Sequence, residues 1–299
     1  MKAVDHGSVF AAYRSDMLAA AFHITGSRDD AEDVVQDAWE SWSRVDIDAV
    51  RTPRTFLSVM VSRLALNALR AQRRRRESYL GPWVPDPVVD DGSPEWSALH
   101  RDGLGQALDF VLATLSAEQA TAYVLRKVLD VDYAGIADAL ETTPAAARQL
   151  VSRAQRAVTA AIGATRPGQR ASDARALAAL ADAVLTGDVE KVAALLAPDA
   201  ILYSDGGGKA RAARRPVLGA EKVARFLLGL AESPGLRMVP VTINGSAGLL
   251  VREHGQITTT VTVRGGAAGI LALYFVRNPD KLAPLAARQA DHREPDAMP

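Results

Sequence analysis

Along residues 8–160 apolar side chains recur at spacings of three and four; from Leu236 they come in short runs parted by glycine turns. The first pattern predicts amphipathic helices and the second strands. Ser8 to Thr25 carries an apolar stripe of Val9, Phe10, Tyr13, Met17, Leu18, Ala21 and Phe22, and Gly26 ends it. Ser27 to Asp30 reads as a capping box before a second helix, Asp29 to Trp42. Its stripe is Ala31, Val34, Val35, Ala38, Trp39 and Trp42, with Asp30, Glu32, Asp33, Gln36, Asp37 and Glu40 outside it. Pro53 opens a third helix, Arg54 to about Arg75, with Phe56, Val59, Met60, Leu64, Leu66 and Leu69 as its apolar positions.

Glu77 to about Pro94 reads as a linker, because Pro82, Pro85, Pro87 and Pro94 forbid a long helix. Trp83 inside it predicts docking, since a free tether has no use for an indole. Helices are predicted over Glu95 to Leu112 and from Ser116, as cap, through Leu129. Asp132 to Val158 then holds two helices about a tight turn at Glu141-Thr142-Thr143, with Thr143 as N-cap and Pro144 at the first helical position. Ala147, Leu150, Val151, Ala154 and Val158 form the buried stripe of the second helix. Arg148, Gln149, Ser152, Arg153 and Arg156 cover its other faces.

That arrangement is the helix-turn-helix pattern, whose second helix enters the DNA major groove. Arginine and glutamine are the side chains able to bond guanine or adenine edges bidentately there. Read without context, the same residues describe a helical hairpin with a solvated basic face, and the acidic positions of Asp29 to Trp42 describe solvated surface. The third helix departs from ordinary helix chemistry: Arg63, Arg70, Arg73, Arg74, Arg75 and Arg76 occur with no acid among them, a density suited to phosphate neutralisation.

A boundary is expected at Gly163 to Gly168. Beyond it come helices over Ala171 to Leu185, Val189 to Leu196 and Gly219 to Ala231, and a strand over Ala200 to Ser204. Four strand-like runs follow: Leu236 to Ile243, Gly248 to Arg252, Ile257 to Val263 and Ile270 to Val276. Helices first and then an antiparallel meander predict an α+β domain with helices on one face of a curved sheet. The tail after Leu282 is expected to be polar and loose.

The chain has 299 residues, enough for two or three cores, and its formal net charge is zero, so charge matters here only locally. It contains no cysteine, which excludes disulfides, zinc-thiolate sites and a cysteine nucleophile. No apolar run approaches the length of a membrane span, and the N-terminal residues lack the apolar core of a signal peptide, so a soluble cytoplasmic protein is expected.

Taken together, residues 8–160 resemble an extracytoplasmic-function (ECF) sigma factor. The carrying residues are DDAEDVVQDAWESW (Asp29 to Trp42), LALNALRAQRRRR (Leu64 to Arg76) and the helix-turn-helix. The resemblance implies bacterial core RNA polymerase and promoter DNA as partners. It assigns polymerase contact to Asp30, Asp33, Gln36, Asp37 and Glu40, and −10 contact to Asn67, Arg70, Arg73 and Arg74. Contact with the −35 element falls to Arg148, Gln149, Ser152, Arg153 and Arg156.

Residues 170–283 resemble a SnoaL-like cone domain, which one sigma subgroup carries as a fusion. The shared motifs are Trp83-Val84-Pro85-Asp86-Pro87, against a WLPEP pattern from which Val84 and Asp86 depart; Asp205-Gly206-Gly207-Gly208-Lys209; and Asn278-Pro279-Asp280-Lys281-Leu282. The implied role is regulation in cis. The expected organisation is region 2 over 1–76, a linker over 77–100, region 4 over 101–163, the SnoaL-like domain over 170–283 and a tail over 284–299.

Two alternatives stay open: a helix-turn-helix regulator acting without polymerase, and a DNA-binding module fused to a SnoaL-type enzyme. Cone folds of that type often hold a deep pocket, so an unidentified small ligand is a third expected partner. Tyr203, Asp205, Lys209 and His254 are the candidates for chemistry, His254 reading as a turn residue beside Gly255. The DGGGK loop could cradle an anion through its amides but lacks the P-loop spacing. No catalytic residue, metal ligand or cofactor is expected.

Overall fold

A computed structural model describes residues 5–90, 96, 105–162, 168–231 and 235–291. The chain divides into two compact units, Met1–Ser78 with Asp91–Thr165, and Tyr79–Asp90 with Arg166–Pro299.

The first unit is helical. Its elements are α1 (His6–Thr25), α2 (Arg28–Trp42), a short 3-10 turn at Ile47–Ala49, α3 (Pro53–Arg76), α4 (Gly105–Thr114), α5 (Ala117–Lys127), α6 (Tyr133–Ala139) and α7 (Pro144–Ile162). Gly26 ends α1 in the left-handed region at φ 64, with its N–H on the Phe22 carbonyl, and Ser27 caps α2. Helices α1, α2 and α3 pack on one another around Met17, Leu18, Phe22, Trp42, Leu57 and Leu69, all essentially solvent-free. Trp42 donates its indole N–H to the His6 carbonyl at 2.9 Å, which satisfies the one polar atom of a buried ring.

Trp96 is buried edge-on to Phe22 and lies under the Arg28 guanidinium at 5.0 Å. A reciprocal capping box of Ser116 and Gln119 starts α5. Asp132 caps α6, and the Thr143 hydroxyl caps α7 by accepting from Ala146 N–H. A buried hydrogen bond of 2.6 Å between His23 of α1 and Asp109 of α4 ties the two halves of this unit.

Two expectations change here. Trp39, predicted in the buried stripe of α2, is 39% exposed and meets Phe10 edge-on at 5.2 Å, because it sits at the margin of a wide stripe. The predicted helix from Glu95 begins, among the described residues, at Gly105; residues 97–104 lie outside them.

The second unit pairs α8 (Gln169–Leu185), α9 (Val189–Leu195) and α10 (Ala220–Ala231) with a six-stranded sheet. The strands are β1 (Leu196–Asp205), β2 (Val217–Leu218), β3 (Arg237–Ile243), β4 (Ser246–Glu253), β5 (Gln256–Gly266) and β6 (Gly269–Val276). Strand order is β2-β1-β6-β5-β4-β3. Strands β3 to β6 form the expected antiparallel meander, and β1 lies parallel to β6 through the register Tyr203↔Tyr274 and Asp205↔Val276.

The helical face of the sheet carries the core: Leu180, Val184, Leu202, Val223, Leu227, Val261, Leu273 and Phe275. The sheet ends in two edges, β2 and β3, and stays open where a cone was expected. The residues after Leu282, predicted as loose tail, continue α11 (Pro279–Asp291), whose Leu282 and Leu285 are buried.

Candidate functional site

The acidic surface follows from the cap of α2. Asp33, Gln36, Asp37 and Glu40 are exposed, as the pattern predicts. Asp30 turns inward: Gln72 donates to it at 2.7 Å, Arg75 approaches at 3.5 Å, and burial, working against the arginines, raises its carboxyl above the ordinary range. It therefore braces α2 to α3.

On α3 the four residues assigned to −10 contact divide. Asn67 and Arg74 are exposed. Arg70 pairs with Glu118 at 2.8 Å, and Arg73 donates to the Leu115 carbonyl at 2.5 Å, so both are held at the α4–α5 junction. Burial pushes the Arg73 guanidinium below its usual value, while the hydrogen bond from Arg70 holds Glu118 below the carboxylate range. Arg63 likewise bridges to Asp138 of α6 at 2.9 Å.

Sequence reasoning missed an open groove of about 840 Å³, lined by the end of α2, the 3-10 turn, α3 and α6. Arg51, Phe56, Met60 and Arg63 contribute, and Phe56 is 38% exposed. Asp46 and Asp138 also line it, and Asp138 pairs with Arg63, so the half-exposed Phe56 ring is its feature suited to an unstacked base. The signal in the sequence was Phe56, which the helical pattern absorbed as core.

Arg148, Gln149, Ser152, Arg153 and Arg156 are all exposed on α7. Arg148 lies over the Tyr133 ring, 4.9 Å from its centroid.

The linker motif and the two motifs of the second half come together within the second unit. Asp205, wholly buried at the end of β1, accepts from the Tyr79 hydroxyl at 2.5 Å, from Val84 N–H at 2.9 Å, from Gly207 N–H at 3.0 Å and from Lys281 Nζ at 2.9 Å. Its backbone carbonyl accepts from the N–H groups of Arg277 and Asn278. Lys281 also bonds the Val84 carbonyl, lies 3.5 Å from Asp86 and sits 3.9 Å above the Trp83 ring. Burial first, and the Asp205 carboxylate second, push the Tyr79 hydroxyl far above its ordinary value, so it remains a donor.

Gly207 has φ 59, and a Cβ there would meet the Asn278 side chain at 2.4 Å. Close approach thus requires a glycine at 207. Asn278 donates to the Tyr79 oxygen at 3.1 Å and accepts from Asp280 N–H, while Lys209 pairs with Asp280 at 2.6 Å. Pro279 opens α11 and Leu282 is buried.

Further along the linker, Pro85 and Pro87 are buried and Val89 bridges to Ile243. The Asn244 side chain accepts from Val88 N–H at 2.6 Å and donates to the Asp86 carbonyl at 3.1 Å. Asn244-Gly245 is legible as a hairpin turn, but nothing in the sequence names its second role.

The candidates for chemistry do not converge. Asp205 and Lys209 are engaged as above, and His254 sits at φ 51 in the β4–β5 turn, beyond β6 and β5 from β1. Tyr203 stacks on Tyr274 at 5.7 Å. The cavity between α8, α10 and the sheet holds about 40 Å³ and is lined by apolar residues with Glu253 and Thr259. That is room for a few waters, far below the ~300–1,000 Å³ of small-molecule pockets. Among the described residues no group of three or more His, Asp or Glu could hold a metal ion.

Family models match at residues 9–75 (Sigma-70 region 2) and 105–158 (Sigma-70, region 4). The chain is 38% identical to the ECF RNA polymerase sigma factor SigJ of Mycobacterium tuberculosis, covering 95% of this chain and 96% of that one. It is 25% identical to the probable ECF RNA polymerase sigma factor SigI of the same species, over 92% and 94%. The crystal structure of M. tuberculosis SigJ superposes with a TM-score of 0.75 at 33% identity, covering 93% of this chain and 98% of that one.

Proposed function

The chain belongs to the ECF RNA polymerase sigma factor family, and on that premise we propose that its C-terminal α/β domain, read as SnoaL-like, regulates it in cis by gripping the linker. As a sigma factor it binds bacterial core RNA polymerase, directs promoter-specific initiation and works in the cytoplasm with the polymerase; it is not an enzyme. The observation that carries the regulatory reading is the buried Asp205 carboxylate, with Tyr79 and Val84 of the linker on one side and Lys281 on the other.

Tyr79 to Asp90 lies in the stretch between region 2, matched at 9–75, and region 4, matched at 105–158. Freed and extended, such a twelve-residue strap could span up to about 40 Å. Gripped, it keeps the length that the C-terminal domain dictates, and polymerase and promoter binding must oppose that grip. Within the first unit α3 is also tied to region 4, since Arg70 and Arg73 are engaged by Glu118 and Leu115.

The acidic positions Asp33, Gln36, Asp37 and Glu40 are proposed as the polymerase-facing carboxylates and amide, setting partner choice and on-rate. Asn67 and Arg74 are proposed for the −10 strand, with the Phe56 groove taking an unstacked base. The exposed face of α7 is proposed for the −35 major groove.

The test is run-off transcription with core polymerase, comparing the full chain with Asp205→Ala. Release of the strap raises core binding and transcript yield. Unchanged transcription from a variant whose linker amides exchange freely overturns regulation through this contact.

A further inference from the structure

Tyr133, the first residue of α6, faces two guanidinium groups. Arg126, at the end of α5, lies 5.5 Å from its ring centroid, and Arg148, in the second turn of α7, lies 4.9 Å from it. The two cations differ in what else holds them. Arg126 donates to the Asp130 carboxylate at 2.8 Å and to the Val131 carbonyl at 3.3 Å, so its charge is compensated locally. Arg148 is exposed and, among the described residues, has no carboxylate partner.

The backbone that carries the ring is anchored. Asp132 caps α6 through Gly135 N–H at 2.8 Å, and Val131 and Ile136, on either side of Tyr133, are buried. A guanidinium lying over an aromatic face keeps its edge donors free, and that edge makes the paired bonds to guanine. Stacking also restrains a long side chain before DNA arrives, so less freedom is lost on docking.

We infer that Tyr133 is a positioning residue for promoter recognition: it presents the Arg148 guanidinium edge-on to a base of the −35 element. It does not touch DNA in this role. Arg126, tied to Asp130, shares the ring but has its charge compensated, which leaves Arg148 as the cation available to DNA. This rests on the reading of α7 as the −35 helix. It adds that specificity at one base pair depends on a residue outside the recognition helix.

The experiment uses holoenzyme reconstituted from the full chain and bacterial core polymerase. Selection from DNA randomised over the −35 segment supplies the preferred element. Initiation is then measured on that element and on each single-base change. Variants are Arg148→Ala, Tyr133→Phe, Tyr133→Leu, Tyr133→Met and Tyr133→Leu with Arg148→Ala. Every value is a ratio between promoters for one preparation, so a partly unfolded fraction cancels.

Arg148→Ala should relax discrimination at one base pair. Tyr133→Leu and Tyr133→Met should relax the same base pair by about two- to fivefold, the bias an exposed cation–π contact supplies. Tyr133→Phe keeps the wild-type profile, and the double variant is no less selective than Arg148→Ala. If the Tyr133 variants alter all promoters equally, or none, while Arg148→Ala alters one position, positioning is wrong and base reading stands. If Arg148→Ala itself weakens every −35 sequence alike, the base-reading premise is wrong.

Discussion

Lys281→Met is the sharpest probe of the grip on the linker. The side chain of Lys281 is 9% exposed and that of Asp205 is fully buried, so their 2.9 Å pair is shielded from solvent. Methionine keeps most of the apolar volume over Trp83 and removes only the ammonium. Asp205 then retains the donors Tyr79, Val84 and Gly207 but loses its counter-charge. Removing one partner of a buried pair costs about 3–5 kcal/mol, because the surviving charge stays buried. If that cost falls on holding the strap, exchange of the linker amides accelerates by about a hundred- to several-thousandfold, at ~1.4 kcal/mol per tenfold.

Hydrogen exchange on the full chain, followed in peptides covering residues 79–90, reads this directly. Val84 N–H responds most, since it donates to the same carboxylate, and Val88 N–H less, since Asn244 holds it independently. Adding Asp205→Asn to Lys281→Met should recover part of the loss by removing the stranded charge. Acceleration below tenfold, or a double variant as damaged as the two singles summed, would refute the view that a buried charge pair fastens the strap.

Two further outcomes are expected. Phe56→Ser, in the groove of region 2, should weaken strand opening by about 1–3 kcal/mol, the worth of one base stacked on an aromatic ring; permanganate reactivity of the −10 thymines measures it, and an unchanged bubble removes the groove from the reading. Burial, opposed by bonds from Gln169 and Gly265 N–H, raises the Asp173 carboxyl above its usual value, so its contribution to stability is full below the unfolded pKa and is lost as pH rises through the folded one. Asp173→Asn, which keeps an acceptor for Gly265, should therefore be more stable than wild type near neutrality and converge with it in acid; thermal unfolding from pH 3 to pH 7 checks the sign, and a gap that widens in acid contradicts it.

Helical periodicity and caps were enough to locate α1, α2, α3 and the two helices about Thr143, because local chemistry alone sets them. The linker tryptophan was legible as a docked residue for the same reason: an indole among prolines has no local partner. What the sequence withheld was pairing at a distance. Tyr79 reads as one more residue of an irregular stretch, and only the fold brings it to Asp205 across 126 positions. Asn244 announces a turn and conceals a clasp. Asp30 looks like one acid of a solvated row, because periodicity places a residue on a face without saying what lies opposite; Gln72 does. The parallel pairing of β1 with β6 was hidden because β1 precedes the antiparallel run and its partner is the last strand of that run.

The bond from Lys281 to the Val84 carbonyl joins residues 197 positions apart. At roughly 5–20 residues per second, a ribosome needs about 10–40 s to make that intervening chain. For the later part of that interval, the roughly 6–25 s from the end of region 4 at residue 158 to Lys281, a nascent copy has both modules and no lysine to fasten the span between them. The linker is therefore made unlatched, and the lysine that fastens it arrives only after both helical modules.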